Sequence, residues 1–199
     1  MKFHNILDEM LGNKTKVRLL RAFFTYPEKG FTESELERIA GIPQASVHRN
    51  VKSLMDNGLL DRQRIGKANL YSLNIEHILY QLLSSNFEAE INVLAELKNM
   101  IAGSVKSLPQ IELVVLFGSI VKGMERADSD VDIFIVCRGE KSKIEDKLKG
   151  MTNISQNKFG NPVSLMIKQN EELQDLKTRS IYREIKDGEI IFKREGFAW

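Results

Sequence analysis

The chain has 199 residues, 42% of them hydrophobic and 28% charged, with a formal net charge of +2. That balance suits a soluble protein with a packed core and fits one large domain or two small ones, and so small a net charge does not by itself call for a nucleic-acid partner. The single cysteine, Cys137, excludes an intrachain disulfide, and no apolar run is long enough for a membrane-spanning helix.

Charge is unevenly distributed. Residues 1–75 hold 12 Lys/Arg against 8 Asp/Glu, and the remainder holds 17 against 19. A basic first part and a slightly acidic second part suggest two jobs. The opening "MKFHNILDEM" lacks the apolar stretch of a signal peptide, and Cys137 reads as a buried small hydrophobe in a reducing compartment, so the expected location is the cytoplasm. His4, His48 and His77 are scattered and form no metal spacing.

In chain order, "NKTKVRLLRAFFTYP" groups Val17, Leu19, Leu20, Ala22, Phe23 and Phe24 as a core helix that stops before Pro27. "FTESELERIAG" sets Thr32 three residues before Glu35, a capping-box pattern, with Leu36, Ile39 and Ala40 as its apolar face and Gly41 as its stop. "IPQASVHRNVKSLMDNG" places Val47, Val51, Leu54 and Met55 on one face of a further helix, ended by Asn57-Gly58. Two runs, Leu59–Ile65 and Asn69–Asn74, then flank a "GKA" turn and read as a hairpin.

Helix, short helix, turn, helix, hairpin is the order of a winged helix-turn-helix. The stretch over residues 14–74 resembles the DNA-binding part of bacterial and archaeal regulators of the MarR and ArsR type. The resemblance implies a helix from about Gln44 to Asn57 that enters the major groove of double-stranded DNA. With its apolar face used by the core, Gln44, Ser46, His48, Arg49, Lys52 and Ser53 are left to face outward. Arg and Gln suit base edges, whereas Lys mostly neutralises phosphate. Arg62, Arg64 and Lys67 fall in the wing, where backbone or minor-groove contact is expected. The alternative is a winged helix used as a protein-docking module.

Residues 76–108 read as a helical connector, broken near Ser84-Ser85-Asn86. Phe87, Leu94, Ile101 and Leu108 recur every seven residues, with Ile91, Leu97 and Val105 beside them. Such a stripe packs on its own domain or forms a homodimer seam.

Residues 109–199 read as a small α/β unit. Apolar runs at Ile111–Phe117 and Val131–Cys137, and a weaker one at Val163–Ile167, alternate with helical patterns. Between the first two lies "GSIVKGMERADSD". Alternate strand residues share a face, so Asp130 and Asp132 project together. Two adjacent carboxylates at the start of a buried strand repel each other unless a divalent cation neutralises them, and hard oxygen ligands suit Mg²⁺. Gly118-Ser119 precedes a helical turn, where free backbone N–H groups bind phosphate.

A strand ending in Gly-Ser, a spacer with Gly123, then "DSDVD" resembles the minimal nucleotidyltransferases of the polymerase-β-like superfamily, over about residues 109–192. The resemblance implies transfer of a nucleoside monophosphate from an NTP, with Asp130 and Asp132 as catalytic groups holding two Mg²⁺ (or Mn²⁺) ions and Ser119 at the phosphates. Lys122 and Arg126 are phosphate-side candidates or solvated loop residues, and Asp128 reads as a turn or cap residue. The family's third carboxylate comes from a following strand, and "PVSLMI" puts Ser164 in that place. Glu171, Glu172 and Asp146 are the nearest acidic substitutes.

The expected architecture is therefore α+β: a winged helix-turn-helix at residues 1–75, a connector at 76–108, and a nucleotidyltransferase-like domain with a small mixed sheet at 109–199. The expected function is a DNA-binding transcriptional regulator whose second domain binds Mg-NTP with degenerate catalysis. The alternatives are an active enzyme that transfers NMP to a protein, RNA or small molecule, and an antitoxin-type partner of a small helical toxin.

Overall fold

The computed structural model describes residues 6–126 and 129–199, so the expectations for His4 and Asp128 lie outside the described residues. The chain divides into two compact units, Met1–Asn92 and Val93–Trp199.

The first unit begins with α1 (Ile6–Leu11) and α2 (Lys14–Thr25). Asn13 caps α2 by accepting the Lys16 N–H, so one orphan donor of the first turn is satisfied. The Thr32–Glu35 capping box forms at the start of α3 (Glu33–Ala40), and Gly41 ends that helix in the left-handed conformation at φ 62. α4 (Gln44–Asp56) follows, then the antiparallel hairpin of β1 (Leu60–Ile65) and β2 (Ala68–Leu73). Leu19, Leu20, Phe23, Leu36, Val47, Val51 and Leu54 fill one core, with Phe31 meeting Phe23 edge to face. This is a winged helix-turn-helix. Ile39, expected on the apolar face of α3, is instead 43% exposed. The short α1 was not foreseen.

The expected break near Ser84–Asn86 does not occur. α5 runs unbroken from Tyr80 to Lys106. Ser85 donates its hydroxyl to the Gln81 carbonyl and Asn86 its amide to the Leu82 carbonyl, one turn back. Residues read as breakers thus satisfy themselves within the helix. The heptad stripe is buried at Leu83 and Phe87 in the first core and at Leu97, Ile101 and Val105 in a core of the second unit. Ile91 and Leu94, midway along, are 54% and 37% exposed.

The second unit is built on a four-stranded mixed sheet in the order β5-β4-β3-β6. β3 (Ile111–Phe117) pairs antiparallel with β4 (Val131–Cys137) and with β6 (Glu189–Lys193), and β4 pairs parallel with β5 (Val163–Gln169). The central strands are buried on both faces, which explains their uninterrupted apolar runs. One face packs on α5 and α6 (Lys141–Phe159) through Val114, Leu116, Ile133, Ile135 and Ile144. The other carries Val115, Phe117, Phe134 and Val136 under α7 (Leu173–Leu176) and α8 (Ile181–Lys186). β6 was not foreseen; it follows the tail read as helical. Gly188 precedes it where a Cβ would press on the Leu116 carbonyl oxygen, so the chain passes too close to β3 for a larger residue. Among the described residues no helix is long and apolar enough to cross a membrane.

Candidate nucleotide site and DNA-facing surface

The acid pair sits where β4 leaves its loop. The Val131 N–H donates to the Pro162 carbonyl and opens the parallel pairing with β5. Ser129 pins the approach: its hydroxyl accepts the Arg126 N–H at 2.8 Å, and its carbonyl accepts the Asn161 amide at 2.8 Å. Asp130 is exposed just before the strand and Asp132 is half-buried one residue into it. Asp132 shares its sheet face with Phe134 and Val136, the face that carries α7 and α8.

Gly118 ends β3 beside this pair. Its φ of 82 is one that L side chains rarely adopt, and a Cβ there would land on the Asp132 carboxylate. The chain then makes a single helical turn: Lys122 N–H and Met124 N–H donate to the Ser119 carbonyl, and Gly123 N–H to that of Ile120. Among the described residues the N–H groups of Ser119, Ile120 and Val121 meet no backbone carbonyl, as at the start of any helical turn.

Burial holds the Asp132 carboxyl above its ordinary range, and the charges of Asp130 and Glu184 push it further up. Among the described residues no cation forms an ion pair with Asp130 or Asp132, although Lys122 pairs with Glu184 at 3.4 Å. Two repelling hard-oxygen donors beside a glycine turn suit a divalent cation such as Mg²⁺ that takes its remaining ligands from phosphate and water. No group of three His, Cys, Asp or Glu converges to hold a metal among the described residues.

Ser164 occupies the register position directly opposite Asp132 on β5, on the same face and exposed. The three acidic substitutes lie elsewhere. Glu172 accepts the Gln169 N–H and pairs with Lys141, at the end of β5 aligned with Cys137, a strand length from Asp132. Glu171 acts electrostatically on Cys137 at that same end, and Asp146 is exposed on α6 with Lys149. Glu184 on α8, which sequence reasoning missed, adds its charge to the field at Asp132 and pairs with Lys122. No local pattern in "IYREIK" marks it, because the approach is made by the tertiary fold. Of the phosphate-side candidates, Lys122 lies at the turn, whereas Arg126 lines a cavity of about 300 Å³ with Leu94, Leu97, Ile120, Val131 and Phe159.

In the first unit, Gln44, His48, Arg49 and Lys52 are exposed on α4, while Ser46 and Ser53 are half-buried. Gln44, His48 and Lys52 recur at one-turn spacing and share a face. Arg49 donates weakly to the Ser46 hydroxyl at 3.4 Å. Arg62 and Arg64 are exposed on β1 and share one face of the hairpin, and Lys67 follows Gly66 in the turn. Sequence reasoning did not find Glu33, whose carboxylate receives both His48 and Tyr71.

Residues 99–196 match the family model described as polymerase beta, nucleotidyltransferase. No curated protein matches the chain. Among solved structures, the chain is similar to a predicted DNA-binding transcriptional regulator from E. coli at 25% identity, covering 44% of this chain and 84% of that one at a TM-score of 0.37. It is similar to MepR, a transcription regulator of the Staphylococcus aureus multidrug efflux pump MepA, at 17% identity, 48% and 77% coverage and a TM-score of 0.36. A mutant of the toxin-antitoxin MntA-HpeT matches at 15% identity, 49% and 74% coverage and a TM-score of 0.37.

Proposed function

We propose, for a chain whose residues 99–196 carry a nucleotidyltransferase domain of the polymerase beta type, that it is a DNA-binding regulator whose second unit binds Mg-NTP and is degenerate in catalysis. One observation carries the reading: a serine, Ser164, lies opposite Asp132 where a third carboxylate would complete the site.

Asp130 and Asp132 hold the metal, which when bound supplies charge neutralisation for the phosphates. The Gly118-Ser119 turn receives those phosphates on its N–H groups, and Lys122 turns from Glu184 towards them. Ser164 contributes a neutral hydroxyl, which is a weak metal ligand and no general base at neutral pH. Binding is thereby retained and proton removal from an acceptor is lost.

The winged helix presents the surplus positive charge of the chain. Gln44, His48 and Arg49 face base edges, while Lys52, Arg62, Arg64 and Lys67 face phosphates. Such modules read paired half-sites as dimers, and the exposed Ile91 and Leu94 on α5 offer an apolar seam to a second copy.

Thermal unfolding tests the nucleotide site. Mg²⁺ with a non-hydrolysable NTP should raise the melting temperature by binding the folded state, and Asp130→Asn with Asp132→Asn should abolish the rise. The retained pair of Asp130 and Asp132 supports a second reading, an active enzyme that transfers NMP to an acceptor. Robust NMP transfer dependent on Asp130 and Asp132 would establish that reading in place of the first.

A further inference from the structure

Glu33 joins three elements of the winged helix through one oxygen. It is the first residue of α3, and its Oε1 lies 3.0 Å from the His48 Nδ1 on α4 and 3.0 Å from the Tyr71 hydroxyl on β2. The Glu33 side chain is 21% exposed, whereas that of His48 is 66% exposed. Glu33, Gln44, Ala45, His48 and Arg49 together line an open depression at the start of α4.

The chemistry of the contact decides which nitrogen of His48 carries the proton. An ionised carboxylate has no proton to give and only accepts. The Tyr71 hydroxyl is a donor too, since burial first and Glu33 second push its phenol up and keep it protonated. Nδ1 must therefore bear the hydrogen that closes the 3.0 Å contact. A neutral imidazole has one N–H, so Nε2 is left with a lone pair, on a side chain that is mostly exposed.

We propose that Glu33 is a positioning residue for base recognition: it holds His48 with Nε2 as an acceptor, so that the start of α4 reads an exocyclic amino group, that of adenine or cytosine, in the major groove. This rests on the DNA-binding reading above. In the major groove only those two bases present an amino donor, while guanine presents acceptors that an Nε2 lone pair repels.

The test is selection of bound duplexes from a random-sequence pool by the full chain. One position should favour adenine or cytosine roughly fivefold, the size of one net hydrogen bond. Glu33→Gln, whose amide can donate or accept, should lose the preference at that position alone while still unfolding cooperatively. His48→Ala, which leaves the Glu33–Tyr71 contact in place, should lose the same preference. A consensus that is unchanged in both variants overturns the proposal. Recovery of no consensus by the unaltered chain overturns the DNA-binding reading itself.

Discussion

Ser164 stands directly opposite Asp132 in the parallel register of β4 and β5, exposed and on the same face of the sheet. A carboxylate introduced there would join the acid pair without moving the backbone. Ser164→Asp should therefore tighten Mn²⁺ binding, read by titration of the paramagnetic ion, and should enlarge the thermal shift with Mg-NTP. It should also raise NMP transfer if only the base is lacking. Unchanged metal affinity would show that the Ser164 position does not face the metal.

Asp132 should be a stability liability at neutral pH. Its carboxyl is held above the ordinary range by burial and by Asp130 and Glu184. A carboxyl raised on folding favours the folded state while protonated, below the ordinary value of about 3.9. That contribution disappears as pH rises through the raised folded value. Asp132→Asn should thus melt higher than the unaltered chain at about pH 7 and at the same temperature near pH 3. Identical melting curves across the range would exclude the repulsion.

Glu172 should act in the opposite sense. The Gln169 N–H first and Lys141 next hold its carboxyl down to about 2. The stability it supplies is complete above the ordinary glutamate range and is lost as pH falls towards about 2. Glu172→Gln should lower the melting temperature by a few degrees at neutral pH, with the difference closing at strongly acid pH. A deficit that persists there would assign the loss to packing rather than charge.

Arg49 and Arg64 should separate base reading from phosphate binding. Arg49→Ala should weaken binding to the preferred duplex by roughly 1–3 kcal/mol and leave other duplexes little affected. Arg64→Ala should weaken all duplexes alike and reduce the salt slope by about one. Anisotropy titrations over a range of salt concentrations read both. Absence of salt-dependent binding to any duplex would favour a protein-docking role.

The α5 stripe gives a matched pair of variants. Leu94 is 37% exposed, whereas Ile101 is fully buried in the second unit. Sedimentation equilibrium should give twice the chain mass, and Leu94→Asp should shift it towards monomer with little loss of stability. Ile101→Asp should instead unfold the second unit, because it buries a charge with no partner. A monomer at every concentration of the unaltered chain would leave the exposed residues without that role.

Much of the fold was legible because local chemistry and tertiary need agree. The Thr32–Glu35 box, the Gly41 stop and the Val47/Val51/Leu54 spacing each determine an element that forms as read. Ser164 could be placed because "PVSLMI" sets it where the resembled family carries its third carboxylate. Ser84–Asn86 misled because the same side chains that favour turns bond back one turn inside α5. β6 is only five residues long and is recruited by an existing sheet edge. Glu33 and Glu184 were invisible for a common reason: each meets its partners across 15 or more residues of sequence, and nothing in the local pattern encodes such meetings.

Gly118 makes one half of the protein genetically separable from the other. Its positive φ and its missing side chain are both needed beside Asp132, so an alanine there strains the turn and fills the corner in a single step. The change lies wholly within the second unit, and the core of the first unit contains no residue of that loop. On the proposed reading, a Gly118→Ala allele in the cell would therefore report what DNA occupancy alone accomplishes when the nucleotide site is blocked.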